Sequence, residues 1–277
     1  MTIEQLADTL HQTPTELIQL ADRHIRTVQM WLCSRAPDAI RWEGLGVDVA
    51  STGLPVPILN LALGKRYPPE TPEATIGDEI ERVKAIFAER NVPWYWWLGP
   101  NPQPSTMSQL FLSHNLWFEP PALPAVLVPL PARPVDYNPR IQTWRAANMV
   151  DLETASTIRR LAYRFPEGVG SHYYEDMADD WLSSDSVRLY LGGLEADTPA
   201  VIGTSIQVDG VIGLYALATL PTWRRRGLGK ALLARMMADA AAEGHRFAVM
   251  TASPYGYPVL KQFGVEHLFD YELYSLP

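Results

Sequence analysis

The stretch PTWRRRGLGKALL, from Pro221 to Leu233, constrains the fold more than any other part of the chain. It follows the apolar run VIGLYALATL, which is typical of a strand. Beyond it, apolar residues recur at helical spacing and predict one buried helix face: Leu232, Leu233, Met236, Met237, Ala240 and Ala241. The chain must therefore pass from a strand to a helix through a short turn of arginine and glycine.

This turn concentrates positive charge and backbone freedom at one place. Gly227 and Gly229 can adopt φ values closed to other residues, which lets consecutive N–H groups point into one concavity. The helix that follows adds free N–H groups and the positive end of its dipole. Arg224, Arg225 and Arg226 add full charges. The stretch predicts a site for a polyanion, most naturally a pyrophosphate, and a solvated charged turn is the alternative interpretation.

Two nucleotide-binding loops do not match this pattern. A P-loop ends in Gly-Lys-Ser/Thr, but Lys230 is followed by Ala231, which has no hydroxyl for a metal. A dinucleotide fingerprint needs a third glycine where the chain has Leu232. What remains is Arg-x-x-Gly-x-Gly, from Arg224 to Gly229. This pattern resembles the coenzyme A pyrophosphate loop of the GNAT superfamily of N-acyltransferases.

The flanking sequences extend the resemblance over about residues 139 to 277. YALATLPTWRRRGLG resembles the fourth strand of that fold and its loop, and AVMTASPYGYPVLKQFGV resembles the fifth strand and fourth helix. The resemblance implies an acetyl-CoA-dependent N-acyltransferase that moves an acetyl group to an amine in a ternary complex, without a metal. It implies a cofactor site formed by Leu217, Ala218, Thr219, Leu220, Arg224, Arg225, Arg226, Gly227, Leu228, Gly229 and Lys230.

The resemblance also implies how this site works. The fourth and fifth strands splay apart, the pantetheine arm lies between them, and a main-chain N–H in Leu217–Leu220 polarises the thioester carbonyl. The family often supplies a tyrosine as the acid for the departing thiolate, but aligning on Gly264 puts Leu260 at that position. Tyr257 and Tyr255 are substitutes, although both could simply pack at the helix start. The candidates for the base are weak: Glu175, His172 and Tyr173.

Proline clusters divide the chain. They punctuate Glu119–Pro139, and the part from Ala132 to Pro139 is typical of a linker. We therefore expect one domain at residues 1–135 and a GNAT N-acetyltransferase domain at residues 136–277. Because prolines flank Ala125–Leu130 on both sides, an edge strand is expected there. The fold class expected is α/β, with a mixed, mostly antiparallel sheet and flanking helices.

The first half repeats the order of helices and strands found in the second half. This order predicts tandem GNAT-like domains, of which the N-terminal one is degenerate. The loop GKRYPPETPEAT, between Leu63 and Ile76, has prolines that remove N–H donors and glutamates that would repel phosphate. One acetyl-CoA per chain is therefore expected. The aromatic run WYWW, from Trp94 to Trp97, favours a central buried strand, with an apolar ligand site between the domains as the alternative.

Composition limits the kinds of partner and cellular location that the sequence allows. Hydrophobic residues make up 47% and charged residues 19%, as in an ordinary globular protein. The net charge of -8 and the absence of a second basic cluster argue against a nucleic-acid partner, and no apolar run is long enough for a membrane span. The single cysteine, Cys33, is interpreted as a core residue, and the start of the chain lacks the pattern of a signal peptide. We expect a cytoplasmic monomer or homodimer. The alternative to an enzyme is a non-catalytic acyl-CoA-binding sensor or scaffold.

Overall fold

The computed structural model of the chain describes residues 3–195 and 198–277. The helices among them are α1 (Ile3–Leu10), α2 (Pro14–Cys33), α3 (Glu73–Arg90), α4 (Met107–Ser113), α5 (Met149–Tyr163), α6 (Ala178–Ser183), α7 (Leu228–Ala242) and α8 (Tyr257–Leu260). The strands are β1 (Ile40–Glu43), β2 (Val47–Ser51), β3 (Asn60–Gly64), β4 (Tyr95–Leu98), β5 (Trp117–Phe118), β6 (Leu123–Pro129), β7 (Gln142–Arg145), β8 (Val187–Gly193), β9 (Pro199–Val208), β10 (Val211–Thr219), β11 (Phe247–Thr251) and β12 (Glu266–Ser275). Single-turn 3-10 helices lie at Pro57–Leu59, Glu175–Met177, Pro221–Trp223 and Lys261–Phe263. This is the mixed α/β fold that the sequence predicts.

The chain forms two compact units, and neither is continuous in sequence. The first unit contains Met1–Ile25 and Ala125–Leu268, and the second contains Arg26–Pro124 and Phe269–Pro277. These units differ from the expected continuous stretches 1–135 and 136–277. The physical reason is an exchange of strands. β6, from the first half of the chain, pairs with β11, whereas β12, from the second half, pairs with β4.

The first unit is built on a sheet with the strand order β6-β11-β10-β9-β8-β7. All neighbours are antiparallel except β10 and β11, which are parallel. β9 and β10 form a hairpin whose turn residues, Asp209 and Gly210, both have positive φ, as the Asp-Gly pair predicts. Helices α5 and α7 pack on this sheet, and α7 contributes the predicted apolar face, including Leu232 and Met236, to the core.

β6 is a buried strand of this unit. Val126, Leu127 and Val128 are fully buried, although β6 is the outermost strand in the order of this unit's sheet. The prolines lie at the strand's ends, where they do not interrupt the hydrogen bonds to β11.

The second unit has a smaller sheet with the order β1-β2-β3-β4-β12, and β5 pairs with β12. β3 and β4 are parallel, and the other pairs are antiparallel. The tryptophans of the WYWW run are buried in this unit. The ring of Trp94 stacks on Phe87 with 4.6 Å between centroids, and the ring of Trp96 lies 4.8 Å from Phe111. The run therefore packs in the core, as the first interpretation holds.

Candidate acyl-CoA site

The end of β10 is distorted by a β-bulge. Tyr215 lies opposite Thr204 of β9, but the next pair is Ala218 with Ile202, so two residues of β10 face one of β9. The two residues that stand opposite Gly203 alone are Ala216 and Leu217, and Ala216 has a φ of 52°, in the left-handed region. A bulge turns backbone groups out of the hydrogen-bonding pattern of the sheet. The backbone of Ala216 and Leu217 is thus directed away from β9.

On the other side of β10, the neighbouring strand diverges. β10 pairs with β11 only at Ile212 with Ala248 and at Gly213 with Val249. Both strands continue past this point, β10 to Thr219 and β11 to Thr251. The two parallel strands therefore splay apart along the second half of β10. An extended chain can pair with the edge that such a divergence leaves on a strand.

The turn after β10 leads directly into α7. Arg225 has a φ of 64° and Gly227 a φ of 85°, and the helix begins at Leu228, whose side chain is buried in the core. The N–H of Ala231 donates to the carbonyl of Gly227 at 2.9 Å. The N–H groups of residues 228–230 come before this first helical bond and have no carbonyl one turn back. Together with the helix dipole, they form a donor cluster for an anion.

The two glycines of the turn have different roles. Gly227 has the predicted left-handed conformation, because its φ of 85° is strained for any other residue. Gly229 does not: it lies inside α7 with helical backbone, so the expectation of a special φ there is wrong. The first turn of α7 starts one residue after Gly227, which already places Gly229 in the helix. A Cβ on Gly229 would lie 3.7 Å from Leu217 Cδ2 and 3.7 Å from Thr219 Oγ1.

The missing side chain of Gly229 therefore faces the end of β10. This proximity joins two parts of the predicted cofactor site. Leu217 is a residue of the bulge, and Thr219 is the last residue of the strand. The start of α7 and the distorted end of β10 line one region of the first unit.

The three arginines are not equivalent. Arg224 donates from Nε to the Thr219 carbonyl at 3.2 Å and from Nη2 to the Ala162 carbonyl, in the last turn of α5, at 2.8 Å. It therefore ties β10 to α5, a role that the sequence did not predict. Arg226 lies over the ring of Trp223, with 4.9 Å between Cζ and the ring centroid. Arg225 is exposed.

Lys230 completes the predicted loop. Its Nζ is 3.4 Å from Gln262 Oε1, which holds the ammonium group beside the 3-10 helix that follows α8. The positive groups and the free N–H groups of α7 therefore share the chain segment from Arg224 to Lys230. Within residues 3–195 and 198–277, no group of three or more His, Cys, Asp and Glu side chains could hold a metal ion.

The tyrosine candidates for the acid lie at the start of α8. Tyr257 is half-buried, packs against the core and has the ammonium of Lys261 5.2 Å from its ring centroid. Tyr255 is 91% exposed and makes no core contact. Leu260 is 5% exposed and is part of the core. Of the two tyrosines, only Tyr257 is held in a defined position.

Glu175 belongs to a hydrogen-bonded group against α5. The Ser156 hydroxyl donates to Glu175 Oε2, and the same hydroxyl oxygen accepts the Tyr174 N–H at 3.0 Å. His172 Nδ1 is 3.5 Å from Glu175 Oε1. The carboxylate is therefore fixed by Ser156, a residue that sequence reasoning missed. A serine inside a helix gives no signal that it is buried.

Comparison with known proteins identifies this arrangement. Residues 155–263 match the sequence model of the acetyltransferase (GNAT) family. These residues include the second part of α5, the bulged β10, the turn with Gly227 and α8. This segment is a GNAT domain. No curated protein matches the chain.

Solved structures share the architecture of the whole chain. A GCN5-related N-acetyltransferase from Kribbella flavida has a TM-score of 0.66 at 17% identity, with 93% of this chain and 95% of that chain covered. Another, from Sphaerobacter thermophilus, has a TM-score of 0.62 at 12% identity, with coverages of 84% and 80%. A tandem GNAT protein from the clavulanic acid biosynthesis pathway has a TM-score of 0.60 at 14% identity, with coverages of 90% and 86%. At these identities the likeness concerns the fold, which is a tandem GNAT fold.

The corresponding strands of the second unit are arranged differently. β3 and β4, the counterparts of β10 and β11, pair at Leu61 with Tyr95, at Ala62 with Trp96 and at Leu63 with Trp97. β3 ends at Gly64, so these strands remain paired to the end and do not splay. A Cβ on Gly64 would lie 3.0 Å from the Trp97 carbonyl oxygen, which shows how closely the two backbones approach.

The helix start of the second unit also differs from that of α7. α3 begins at Glu73, after a loop with three prolines, and its N-cap residue is Pro72. Nearly two turns further, Glu79 accepts the N–H of Leu45 at 2.6 Å and the N–H of Gly46 at 2.9 Å. Negative charge on and near the start of α3 replaces the arginines of the first unit. The start of α3 thus lacks the arginines and the left-handed glycine that precede α7.

Proposed function

We propose that the chain is an acetyl-CoA-dependent N-acetyltransferase whose first unit moves an acetyl group to an amine. The observation that carries this proposal is the junction of the bulged, splayed β10 with the uncapped start of α7. The N–H groups at residues 228–230 would hold the pyrophosphate, with Arg225, Arg226 and Lys230 adding charge. The open edge of β10 would pair with the pantetheine arm.

The bulge would supply the catalytic hydrogen-bond donor. Among the expected residues of β10, Leu220 is already engaged, because its N–H donates to the Ala200 carbonyl at 2.9 Å. Leu217 lies in the bulge, outside the ladder to β9. We therefore assign its N–H to the thioester oxygen, where negative charge develops as the amine attacks. One such donor in a preorganised site contributes about 10²–10³ in rate.

The acetyl transfer requires one bond to form and one to break. The amine nitrogen forms a bond to the thioester carbonyl carbon, and the carbon–sulfur bond breaks, so that coenzyme A leaves as the thiolate. Glu175 would accept the proton of the amine, and Tyr257 would protonate the thiolate. Tyr255 is a weaker candidate for this acid because solvent surrounds it.

The setting that we propose for this reaction follows from composition. A small molecule or a protein would supply the amine in the cytoplasm, and the chain would act as a monomer or homodimer without nucleic acid or membrane. The helices among the described residues are too short or too polar to cross a membrane.

A second candidate function is an acyl-CoA-binding sensor or scaffold. Leu260 favours it, because a core leucine stands where the family often has a tyrosine acid. Both functions need acetyl-CoA, so binding does not separate them. A thiolate is a fairly good leaving group, which is why we place the enzyme first.

Release of free thiol from acetyl-CoA tests the enzymatic proposal. The purified chain is mixed with acetyl-CoA and a panel of amines, and the acetylated product is identified by mass spectrometry. Amine-dependent thiol release that is lost in Gly227→Val supports the enzyme. Tight acetyl-CoA binding without turnover on any amine, or in cell extract supplied with the protein, supports the sensor instead.

A further inference from the structure

Arg159 is a buried cation on α5. Its side chain belongs to the face of the helix that packs inward, and the residue is only 7% exposed. No carboxylate among residues 3–195 and 198–277 lies within ion-pair distance of it. Arginine is almost never this buried unless it is paired, because the charge loses its hydration. The position of Arg159 therefore calls for an explanation.

Aromatic rings cover the flat faces of this guanidinium group. The Cζ atom of Arg159 is 3.7 Å from the ring centroid of Tyr173 and 5.2 Å from that of Phe165. Stacking of this kind stabilises the cation and leaves the N–H groups, which lie in the guanidinium plane, directed sideways. The rings thus fix the plane of the group without accepting its hydrogen bonds.

Two buried donors at this place have no acceptor. The Nη1 atom of Arg159 and the hydroxyl of Tyr174 are both buried, and the part of the chain that the structure describes gives neither a hydrogen-bond partner. Both groups lie against Tyr173, whose ring centroid is 3.7 Å from Arg159 Cζ and 5.2 Å from the ring centroid of Tyr174, and burial raises the pKa of the Tyr174 hydroxyl. Unsatisfied buried donors are costly, and an oxygen anion is the ligand that satisfies a guanidinium and a hydroxyl together.

The site lies beside the proposed acetyl-transfer centre. Ala162 is three residues after Arg159 on α5, and its carbonyl is tied through Arg224 to Thr219 at the end of β10. Three residues before Arg159 is Ser156, which holds the Glu175 carboxylate. Because residues three apart lie on one helix face, the Glu175 carboxylate, held by Ser156, lies on the same face of α5 as Arg159.

We propose that Arg159 binds the carboxylate of the acceptor, so that the substrate class is an amine that carries a carboxylate, as amino acids do. This inference rests on the proposed acetyltransferase function. The acceptor amine lies towards Glu175 and its carboxylate towards Arg159. One guanidinium group matches the single negative charge of a carboxylate, whereas a phosphate dianion would call for a second cation.

The segment from Phe165 to Tyr174 covers Arg159, and a Cβ on Gly170 would lie 3.6 Å from Arg159 Nη1. Pro166, Glu167 and Gly168 are exposed, and Gly168 and Gly170 have left-handed backbone. Exposed residues with few buried contacts move at low free-energy cost, whereas Tyr173 and Tyr174 at the end of the segment are buried. Movement of residues 166–170 would open the guanidinium edge to a ligand.

Binding of product analogues tests the proposal without requiring turnover. The full chain, loaded with coenzyme A, is titrated by calorimetry with the N-acetyl forms of alanine, phenylalanine and lysine. Each is compared with the N-acetyl form of its decarboxylated amine: ethylamine, phenylethylamine and cadaverine. We expect at least one carboxylate to bind about 10- to 100-fold tighter than its decarboxylated counterpart. Equal affinity within every pair would overturn the proposal.

The variant Arg159→Gln assigns any such preference to this residue. It should bring the affinity ratio to about 1 without weakening the decarboxylated analogues, and Arg160→Gln, which removes the neighbouring charge, should leave the ratio unchanged. If Arg159→Gln does not fold, Arg159→Lys is the second variant. It keeps the positive charge but loses the planar pair of N–H donors that binds a carboxylate, and the affinity ratio should fall to a few-fold. A preference that persists in these variants would contradict the proposal.

Two further measurements separate the remaining outcomes. Tighter binding of N-acetyl-phosphoethanolamine than of any carboxylate would assign the site to a phosphate and overturn the carboxylate. The same amines are also tested for thiol release with acetyl-CoA. Intact carboxylate preference without thiol release would defeat the proposed function alone, whereas thiol release without carboxylate preference would defeat only the assignment of Arg159.

Discussion

A buried hydrogen bond joins His24 to Tyr215, with 2.9 Å between Nδ1 and the hydroxyl oxygen. His24 Nε2 is 3.2 Å from the Val211 carbonyl oxygen. A neutral imidazole satisfies both contacts, because the Tyr215 hydroxyl donates to Nδ1 and Nε2–H donates to the carbonyl. Tyr215 is the residue before the bulge, so α2 anchors β10 next to the proposed acetyl-transfer centre.

This contact predicts a loss of stability in mild acid. Burial lowers the pKa of His24 from its ordinary value of 6.5 to about 4. Between these values the unfolded chain binds a proton that the folded chain does not, so the free energy of unfolding falls as the pH falls from 6.5 to 4. The full effect is about 3 kcal/mol. Denaturant unfolding of the parent and of His24→Gln, across this range, measures it.

The control for this prediction is the exposed His267. His267→Gln should keep the pH dependence of the parent, and His24→Gln should lose most of it while being less stable at pH 7. A pH profile of His24→Gln that is parallel to that of the parent would show that other groups cause the acid sensitivity.

Replacing each of the two glycines of the turn by alanine should change stability in different ways. Gly227→Ala places a side chain at a φ of 85° and should cost about 1–2 kcal/mol of stability. Gly229→Ala meets only ordinary contacts in a helical conformation and should be neutral or stabilising by up to about 1 kcal/mol. Thermal unfolding followed by circular dichroism separates the two.

A larger side chain at Gly229 tests the ligand rather than the fold. Gly229→Val should remain folded but fill the space beside Leu217 and Thr219, and acetyl-CoA should bind at least about tenfold more weakly. A folded Gly229→Val that binds acetyl-CoA like the parent would remove the start of α7 from the proposed site.

Replacing Arg224 should affect the stability of the fold, whereas replacing Arg225 should affect acetyl-CoA binding. Arg224 bonds to the carbonyls of Thr219 and Ala162, and such bonds to a charged group contribute about 1.5–3 kcal/mol. Because part of the Arg224 side chain is exposed, Arg224→Ala should lower the free energy of unfolding by no more than this amount. Arg224→Lys cannot span both carbonyls and should behave similarly. Arg225→Ala should leave stability unchanged but reduce the salt dependence of binding. Calorimetry at two ionic strengths is the measurement. Rescue of stability by Arg224→Lys would show that charge, not the tether, matters there.

The tyrosines near α8 give a prediction about the acid. Tyr257→Phe should lower kcat by about a hundredfold with little change in acetyl-CoA affinity, and Tyr255→Phe, at an exposed position, should change neither. Leu260→Ala should instead cost about 2–5 kcal/mol of stability, because Leu260 is a core residue. Equal activity of the parent and Tyr257→Phe would exclude Tyr257 as the acid.

Local signals in the sequence were sufficient for the elements of the site. The apolar run before Pro221, the Gly227 turn and the periodic series after it predict β10, the turn and α7, and the Asp209-Gly210 pair predicts the hairpin. Each depends on residues close together in the chain, and backbone geometry fixes the outcome there.

Long-range pairing could not be predicted in this way. β6 and β12 are both apolar strands, and nothing in either sequence states which partner it chooses, so their exchange between the units was missed. The bulge at Ala216 was missed because alanine carries no signal for positive φ. The buried Ser156 and Arg159 were missed because polar residues on a helix usually face solvent.

The central claim is that one of the two GNAT units holds acetyl-CoA and the other does not. Calorimetric titration of the intact chain with acetyl-CoA tests it most directly. The splayed β10 and open start of α7 predict saturation at one equivalent, with no binding by Gly227→Val. Saturation at two equivalents would contradict the closed pairing of β3 with β4, and the absence of binding to the parent chain would contradict the proposed site itself.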